Sequence, residues 1–246
     1  FNLKCVIVPI QFLGMEGIVQ HNAAVIPLLE ARMNDAGNQI AAYLSDQLWN
    51  NGTANSINID GFPLSASSTN SYGNIARSVA ANAYWRANVR TQASTPQPTR
   101  LTVLTDIVST YNNALGEMPN LAVTSPGTWV SLAADFVANE QFWVTPGNSF
   151  DQSTQGARGA FTALMVGGVP VYIDPEANDG EVLYLNTRYD SFYIHEAAAF
   201  AFTGFASTLP NMSLGYVGAL VCVLEHVNVK PRSLTRSTGY GFQSGI

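Results

Sequence analysis

Charged side chains are scarce in this sequence of 246 residues. Lysine, arginine, aspartate and glutamate make up 11% of it, against roughly 25% in an average soluble domain. Because a solitary soluble protein needs a charged coat, so low a content indicates that much of the surface is covered by something else. No apolar run reaches the ~18 residues of a membrane span, and the longest, residues 216–224, has the length of a strand. We therefore expect the cover to be other protein chains.

Positive charge and cysteine are also rare. The net charge is −6 and the lysines are Lys4 and Lys230 alone, so the sequence has no basic cluster that would grip a nucleic-acid backbone. Cys5 and Cys222 are too few and too far apart for a disulfide framework or a zinc site. We expect both to be buried thiols.

Complete catalytic motifs are missing as well. His195-Glu196 begins like a metalloprotease motif, but Ala199 stands where the second histidine is needed. The glycines of 156–159 and 167–168 lack the spacing and the lysine of a phosphate-binding loop, and the sequence has no Gly-x-Ser-x-Gly nucleophile elbow. We predict no catalytic centre, no cofactor and no metal site. An enzyme with scattered catalytic residues stays as an alternative.

One long amphipathic helix is predicted over residues 22–52. Pro27 fits only in a first turn, and Asn51-Gly52 is typical of a helix end. Gly37 marks a weak point, or a place where another backbone comes close. Polar residues, Asn38 among them, follow the opposite side. The predicted apolar stripe, at helical spacing, consists of Val25, Ile26, Leu29, Met33, Ala36, Ile40, Tyr43, Leu44 and Leu48.

Residues 3–12 are rich in β-forming side chains, and Pro9 points to an edge or bent strand. No hairpin partner is visible downstream, so we expect the partner strand to precede Phe1. Residues 53–74 are polar and predict an extended loop. The Pro-containing stretch 91–99 predicts a linker and a domain boundary.

The region after this linker mixes helices with short strands. We predict helices over 101–115, 128–140 and 156–165, and the first should carry its apolar stripe on Leu101, Leu104, Ile107, Val108 and Tyr111. Predicted strands cover 120–124, 142–149, 169–174 and 181–186. Residues 193–202 and 214–229 are further apolar, β-rich runs, and the second should be a central strand covered on both faces.

These segments, taken in order, resemble a known family. The residues that carry the likeness are IVPI before the long helix, AVIPLLEARMNDA within it, EMPNLAVTSPGTW, GARGAFTALMVGGVPVYIDP with YLNT, FYIHEAAAFAFTGF, and YVGALVCVLEHVNVKPR. In this order and spacing they resemble the major capsid proteins of tailed double-stranded-DNA phages, which have the Hong Kong 97 fold.

The resemblance implies an α+β fold with a long spine helix, a peripheral-domain sheet, an axial domain and an extended loop. Residues 1–21 would form an incomplete extended-loop strand that reaches over a neighbouring subunit. Residues 22–98 and 191–246 would form the peripheral domain, with the spine helix at 23–50, and residues 99–190 the axial domain. The candidate assembly-interface residues are Lys4, Val6, Val8, Glu16 and Arg32.

The resemblance also implies a structural protein of the virion shell rather than an enzyme. Its partners would be other copies of itself in pentamers and hexamers, the packaged double-stranded DNA without sequence specificity, and portal, scaffold and cement proteins, but no membrane. Two alternatives remain open. One is an encapsulin-type nanocompartment shell with enzyme cargo, and the other is a soluble α+β enzyme, which only a titratable cluster in a pocket would revive.

Overall fold

The computed structural model describes residues 1–13, 22–50, 57–92, 97–139, 164–207 and 215–242. The chain divides into two units. The first consists of Phe1–Phe62 and Phe192–Val227, and the second consists of Pro63–Ser191 and Asn228–Ile246. In sequence the two units alternate: residues 63–191 of the second unit lie between the two parts of the first, and residues 228–246 follow the later part.

The described helices and strands follow the predicted order closely. The helices are α1 (Asn22–Asn50), α2 (Phe62–Ser65), α3 (Arg100–Asn113) and α4 (Pro126–Asn139). The strands are β1 (Lys4–Leu13), β2 (Asn88–Thr91), β3 (Leu121–Thr124), β4 (Leu164–Val166), β5 (Val169–Ile173), β6 (Val182–Leu185), β7 (Asp190–Ile194), β8 (Ala201–Phe202), β9 (Ala206–Ser207), β10 (Gly215–Asn228) and β11 (Thr235–Thr238). The strand predicted over 142–149, and residues 156–163 of the third predicted helix, lie outside the described residues. The end of that helix was predicted wrongly, because Leu164 and Met165 belong to strand β4.

Helix α1 is the long helix that the apolar period predicts. Ala36, Ile40 and Trp49 are buried, and Leu44 and Leu48 pack against a small core of Ile59, Cys222 and Leu224. The apolar stripe is narrower than predicted, because the predicted members Met33 and Tyr43 are exposed. The side chains of residues 22–29 lie outside the described set.

The sheet of the first unit contradicts one prediction. Strand β1 does have a downstream partner: it pairs antiparallel with β10 along its whole length, from Lys4 opposite Leu224 to Leu13 opposite Gly215. The strand order is β1-β10-β7, and β8 and β9 also pair with β10. The prediction thus missed the partner strand that this chain itself supplies, which is β10. β10 has 14 residues, enough to hold β1 along one edge and the shorter strands along the other.

The prediction that β10 is covered on both faces is right for one half of the strand. Residues 224–228 are all buried, including Glu225 and His226. Toward the start of the strand, Tyr216 is exposed and Val217 is half-buried. The sheet therefore has a covered end and an open end.

The second unit has a mixed six-stranded sheet of order β2-β11-β6-β3-β5-β4. Helices α3 and α4 contribute Val103, Ile107, Trp129 and Leu132 to its core. Helix α3 begins at a reciprocal cap, in which the Thr102 N–H donates to Thr99 Oγ1 at 3.2 Å and the Thr99 N–H donates to Thr102 Oγ1 at 2.9 Å. This cap explains why the predicted linker ends where it does.

The second unit covers more of the chain than residues 99–190, the predicted axial domain. Residues 63–98 and 228–246, which the prediction gave to the same domain as the long helix, belong to the second unit. The physical reason is strand pairing, since β11 pairs in parallel with β2 and antiparallel with β6. Pairing between segments this far apart in sequence leaves no local signature.

The stretch predicted as an extended loop over residues 53–74 contains helix α2, with Pro63, Leu64 and Ser65 buried. The buried side chain of Arg77 stabilises this region. Its Nη1 donates to the carbonyls of Leu64 at 2.9 Å and Ser67 at 2.6 Å. Burial lowers the pKa of Arg77 to about 10, so the guanidinium is still charged at neutral pH. The sequence predicts a loop here because the segment is polar and has no apolar periodicity. Its structure depends instead on hydrogen bonds from the buried Arg77 to backbone carbonyls.

We expect Gly37→Ala to stabilise the protein. Gly37 lies inside α1, and a Cβ added there would meet nothing within 4 Å. Alanine should therefore raise the free energy of unfolding by roughly 0.5–1 kcal/mol, which chemical denaturation would measure. The open space around such a Cβ also argues against the approach of a backbone segment from the described part of the chain at that position.

Gly180→Ala is the matched control for this prediction. Gly180 has φ +71°, and a Cβ there would lie 2.5 Å from the Tyr240 carbonyl oxygen. This variant should lose stability. Equal shifts of the same sign in both variants would contradict the argument.

Candidate assembly surfaces

Strand β1 presents two different faces. Lys4, Val6 and Ile10 are buried, whereas Ile7, between them, is 58% exposed and Leu3 is also exposed. Because side chains alternate across a strand, the outer face of β1 carries an apolar row that the described residues leave exposed. Within the described residues β1 also stands at the edge of its sheet. An apolar edge of this kind favours association with another chain.

The structure brings some of the predicted assembly-interface residues together inside the first unit. Lys4 and Val6 face inward, Val8 is half-buried, and Arg32 Nη1 donates a hydrogen bond to the Gln11 carbonyl oxygen. Glu16 lies outside the described residues. Their part in assembly stays a prediction, and the outward residues Leu3 and Ile7, which the prediction omitted, are the exposed members of this strand.

The cysteine prediction was right for one residue only. Cys222 is buried, but Cys5 is exposed. The alternation of β1 explains the difference, because Cys5 lies on the same outer face as Leu3 and Ile7. Burial raises the pKa of the Cys222 thiol, which keeps it protonated at neutral pH.

A buried charged cluster lies beneath β1. Lys4 Nζ is 2.8 Å from Glu225 Oε2, with the two side chains 6% and 1% exposed. Glu225 Oε1 accepts hydrogen bonds from the backbone N–H of Asp60 at 2.7 Å and of His226 at 3.1 Å. Sequence reasoning missed this cluster, because Lys4 and Glu225 are 221 positions apart.

A second set of exposed apolar side chains lies on β7 and shortly after it. Phe192, Tyr193 and Ile194 are consecutive residues and all are exposed, as is Phe200, which has φ +53°. The sequence predicts this apolar stretch as a strand, and only the structure shows that it is uncovered. Exposed large aromatic side chains are typical of protein–protein contact sites.

The third open surface is a line of side chains on α3. Leu101, Leu104, Val108 and Tyr111 follow each other at spacings of three, four and three residues, the period of a helix–helix seam. Leu101 is 73% exposed, and Val108 and Tyr111 are exposed too. The predicted stripe therefore combined two faces. Of its members, Ile107 is buried and Leu104 packs partly buried against the core. The helix also buries Val103, Asp106 and Thr110, which the prediction omitted.

Asp106 is buried because it anchors a second network. It accepts a hydrogen bond from the Tyr240 hydroxyl at 2.5 Å and pairs with Arg90 Nε at 2.7 Å. Burial, together with the charge of Asp106, raises the pKa of Tyr240, so the phenol stays protonated and donates. The network ties α3 to β2 and to the segment after β11.

The candidate chemical residues do not converge on a reaction centre. His195 is exposed, and its Nδ1 accepts the Ala197 N–H at 3.3 Å at the start of the 3₁₀ turn Glu196–Ala198. His226 is buried, and His21 lies outside the described residues. Across the residues that the structure describes, no three His, Cys, Asp or Glu side chains are placed to hold a metal ion. Among the described helices, none combines the length and hydropathy that a bilayer crossing requires.

A pocket of 310 Å³ lies between the start of α3 and the middle of α4, lined by Gln97, Pro98, Thr99, Ser131, Ala134 and Asp135. The carboxylate in this set, Asp135, accepts the Arg100 N–H at 2.8 Å. It therefore supports the first turn of α3. The pocket offers no set of groups that would act together as acid, base and nucleophile.

Solved shell proteins share this architecture. The chain is similar to a chain of the cyanophage A-1(L) capsid, with TM-score 0.72 and 13% identity, over 96% of this chain and 77% of that one. It is similar to the Ralstonia phage GP4 capsid with TM-score 0.61 and 10% identity, over 99% and 75% of the two chains. The SrpI encapsulin complex of Synechococcus elongatus matches with TM-score 0.56 and 10% identity, over 97% and 74%. No protein-family model matches the sequence, and no curated protein is similar to it.

These matches establish the fold. The chain has the α+β fold of the Hong Kong 97-type capsid subunits, and the predicted fold class is confirmed. The long helix α1 and the sheet around β10 form one unit of it, and the six-stranded sheet with α3 and α4 forms the other.

Proposed function

We propose that this chain is the major capsid protein of a tailed phage, and that its copies assemble into the pentamers and hexamers of an icosahedral shell around double-stranded DNA. One observation carries the proposal, namely the match of 96% of the chain to a capsid chain of cyanophage A-1(L) at TM-score 0.72. The protein would act in the virion shell as a structural protein and not as an enzyme. Its charged fraction of 11% suits a subunit that neighbours cover.

The three open surfaces supply the contacts that such a shell requires. The outer face of β1, the aromatic group on β7 and the α3 seam are apolar, so burial against a neighbouring copy would remove them from water. A net charge of −6 suits a wall that contains DNA without adhering to it. Portal, scaffold and cement proteins would be the further partners, as would be expected for a shell with one entry vertex.

The second candidate function is an encapsulin-type compartment, favoured by the match to the SrpI encapsulin complex at TM-score 0.56. Both candidates are closed shells of one folded chain. Their contents differ, because the first encloses DNA and the second encloses an enzyme. The fold alone does not separate them.

Electron microscopy of the expressed chain tests the proposal. We expect closed icosahedral particles, and particles purified from the native source should contain double-stranded DNA and carry a portal at one vertex. Particles that contain a co-purified enzyme and no DNA would support the encapsulin alternative. Both candidates would be contradicted if the chain stayed monomeric at high concentration even in the presence of the proteins that accompany it in its native source.

Ile7→Asp tests the outer face of β1. The side chain is 58% exposed, so the subunit should lose about 1 kcal/mol of stability or less, the range of strand propensities. Assembly should fall severalfold, because each contact would bury an unpaired charge. Sedimentation would measure the assembled fraction and thermal melting the subunit.

Ile7→Val is the matched control, since it keeps an apolar, β-branched side chain at the same position. It should assemble like the parent chain. Normal shell yield from Ile7→Asp would remove the outer face of β1 from the list of contacts, while leaving the other two surfaces untested.

A further inference from the structure

The sheet of the second unit has one face packed against helices and one face that the described residues leave partly open. Val171 faces the helices and is buried in the core. The alternate positions point the other way, and there Met165 is 58% exposed and Tyr172 is 48% exposed. Met165 lies opposite Pro170, and Tyr172 lies opposite Val123. These last four residues form what is called the open sheet face below.

An uncovered face is unusual for such a sheet. Strands β3 and β5 are a parallel pair within it, and sheets of parallel strands are almost always covered on both faces. Strands β3, β4 and β5 contain no charged residue, so the open sheet face lacks the charged side chains that strands usually direct toward water. Composition and topology therefore both call for a second layer on this face.

The α3 seam has the opposite deficiency, because it is a helix surface without a sheet. Leu101 is 73% exposed, Val108 is 55% exposed and Tyr111 is 42% exposed. Arg100, at the first position, is the one charged residue on the exposed side of α3. The seam lies on the side of α3 away from the sheet, and the open sheet face lies on the side of the sheet away from α3. One copy therefore cannot bury the first surface against the second.

We propose that the α3 seam of one copy packs on the open sheet face of the next copy. The neighbouring helix supplies the missing layer of the sheet, and both apolar surfaces leave water together. Because the two surfaces differ and lie on opposite sides of the same unit, the contact is head-to-tail. Such a contact repeats from copy to copy and closes into a ring when the rotation allows it. The inference rests on the proposed function, and it names the surfaces that join neighbours within the pentamers and hexamers.

The charges at the rims of the two surfaces are complementary. Arg100 precedes Leu101 at the start of the α3 seam, whereas the exposed Glu176 and Asp179 follow strand β5 just beyond Tyr172. An alignment that places Leu101 over Tyr172 brings the arginine of one copy beside the acidic turn of the next. Rim charges of this kind fix the direction and register of a contact more than its strength.

Cross-linking of cysteine variants tests this contact in assembled shells. The background is Cys5→Ser, because Cys5 is exposed, and one chain carries both Val108→Cys and Met165→Cys. The shells are treated with a short bismaleimide linker, denatured and separated by size. We expect a ladder of linked chains that ends at pentamers and hexamers, since every copy offers one cysteine to each of its two neighbours.

The two chains with a single added cysteine are the matched controls, and neither should give linked chains. Linked dimers from either of them would show that like surfaces meet. Normal shells without a ladder in the double variant would show that something else covers the open sheet face, such as residues 140–163 of the same chain. Either result would overturn the inference and leave the proposed function standing. A parent chain that forms no shells would overturn the proposed function, and the inference with it.

A charge pair gives a second test. Val108→Glu and Met165→Lys each place an unpaired charge in the contact, so each alone should lower the yield of shells about tenfold or more. Combined in one chain they should restore most of the yield, because every contact then joins a glutamate to a lysine. Both positions are exposed in the subunit, so thermal melting should stay close to that of the parent in all three variants. A folded double variant without restored assembly would rule out the head-to-tail contact.

Discussion

Ile40→Asp is expected to abolish folding of the first unit. Ile40 is 0% exposed in the middle of α1, and burying a carboxylate there without a partner is far more costly than losing the apolar contacts alone. The penalty should exceed about 4 kcal/mol, which approaches the total stability of roughly 5–15 kcal/mol of an ordinary domain. Loss of the cooperative thermal transition and recovery of the chain in the insoluble fraction are the expected results.

Asn38→Asp is the control for this variant. Asn38 lies two residues away on the exposed side of the same helix, so it adds the same charge to the same element. We expect a change within about 0.5 kcal/mol. Equal yields of soluble folded protein from both variants would mean that the buried face of α1 is assigned incorrectly.

Deleting residues 1–12 should unfold the first unit rather than merely weaken assembly. The sequence alone predicts the opposite, because it places the partner of this strand before Phe1. In the structure β1 pairs with β10 over ten positions, and Val6 and Ile10 are buried. Each of those side chains contributes about 1.5–3 kcal/mol, and removing Lys4 from Glu225 costs a further 3–5 kcal/mol or so. Circular dichroism and thermal melting of the truncated chain would measure the effect.

The comparison for this deletion is Ile7→Asp, which keeps β1 and its pairing intact. It should retain the cooperative melt that the deletion loses. The truncated chain could instead keep near-native circular dichroism and a cooperative transition and be defective only in assembly. That result would support the sequence-based expectation that β1 contacts a neighbouring subunit and is not needed for folding.

The local elements of this fold could be predicted from the sequence, and their pairing could not. The apolar period of α1 and the long apolar run of β10 are signals within a single segment, so both elements lie close to their predicted bounds. The partner of β1 and the parallel pair of β2 with β11 depend on segments far apart in the chain. No residue type in β1 identifies β10 as its neighbour, so only the structure shows the pairing.

The surfaces were hidden from sequence reasoning for a different reason. Leu101 and Val108 are as apolar as Val103 and Ile107 on the same helix, yet the first pair is exposed and the second is buried. A side chain that packs against a neighbouring copy has the same composition as one that packs in the core. The low overall charge indicates that such surfaces exist, but it does not show which residues form them.

The pairing of β1 with β10 also means that β1 cannot complete its folding until most of the chain has been synthesised. The two strands are separated by roughly 200 residues, and at roughly 5–20 residues per second the ribosome needs about 10–40 s to make the second after the first. During that interval β1 is outside the ribosome, and its apolar side chains Val6, Ile7 and Ile10 have no partner strand because β10 has not yet been made. A cell that makes this protein in quantity therefore holds many chains at once with an unpaired apolar strand, and factors that shield nascent chains would decide how many of them mature.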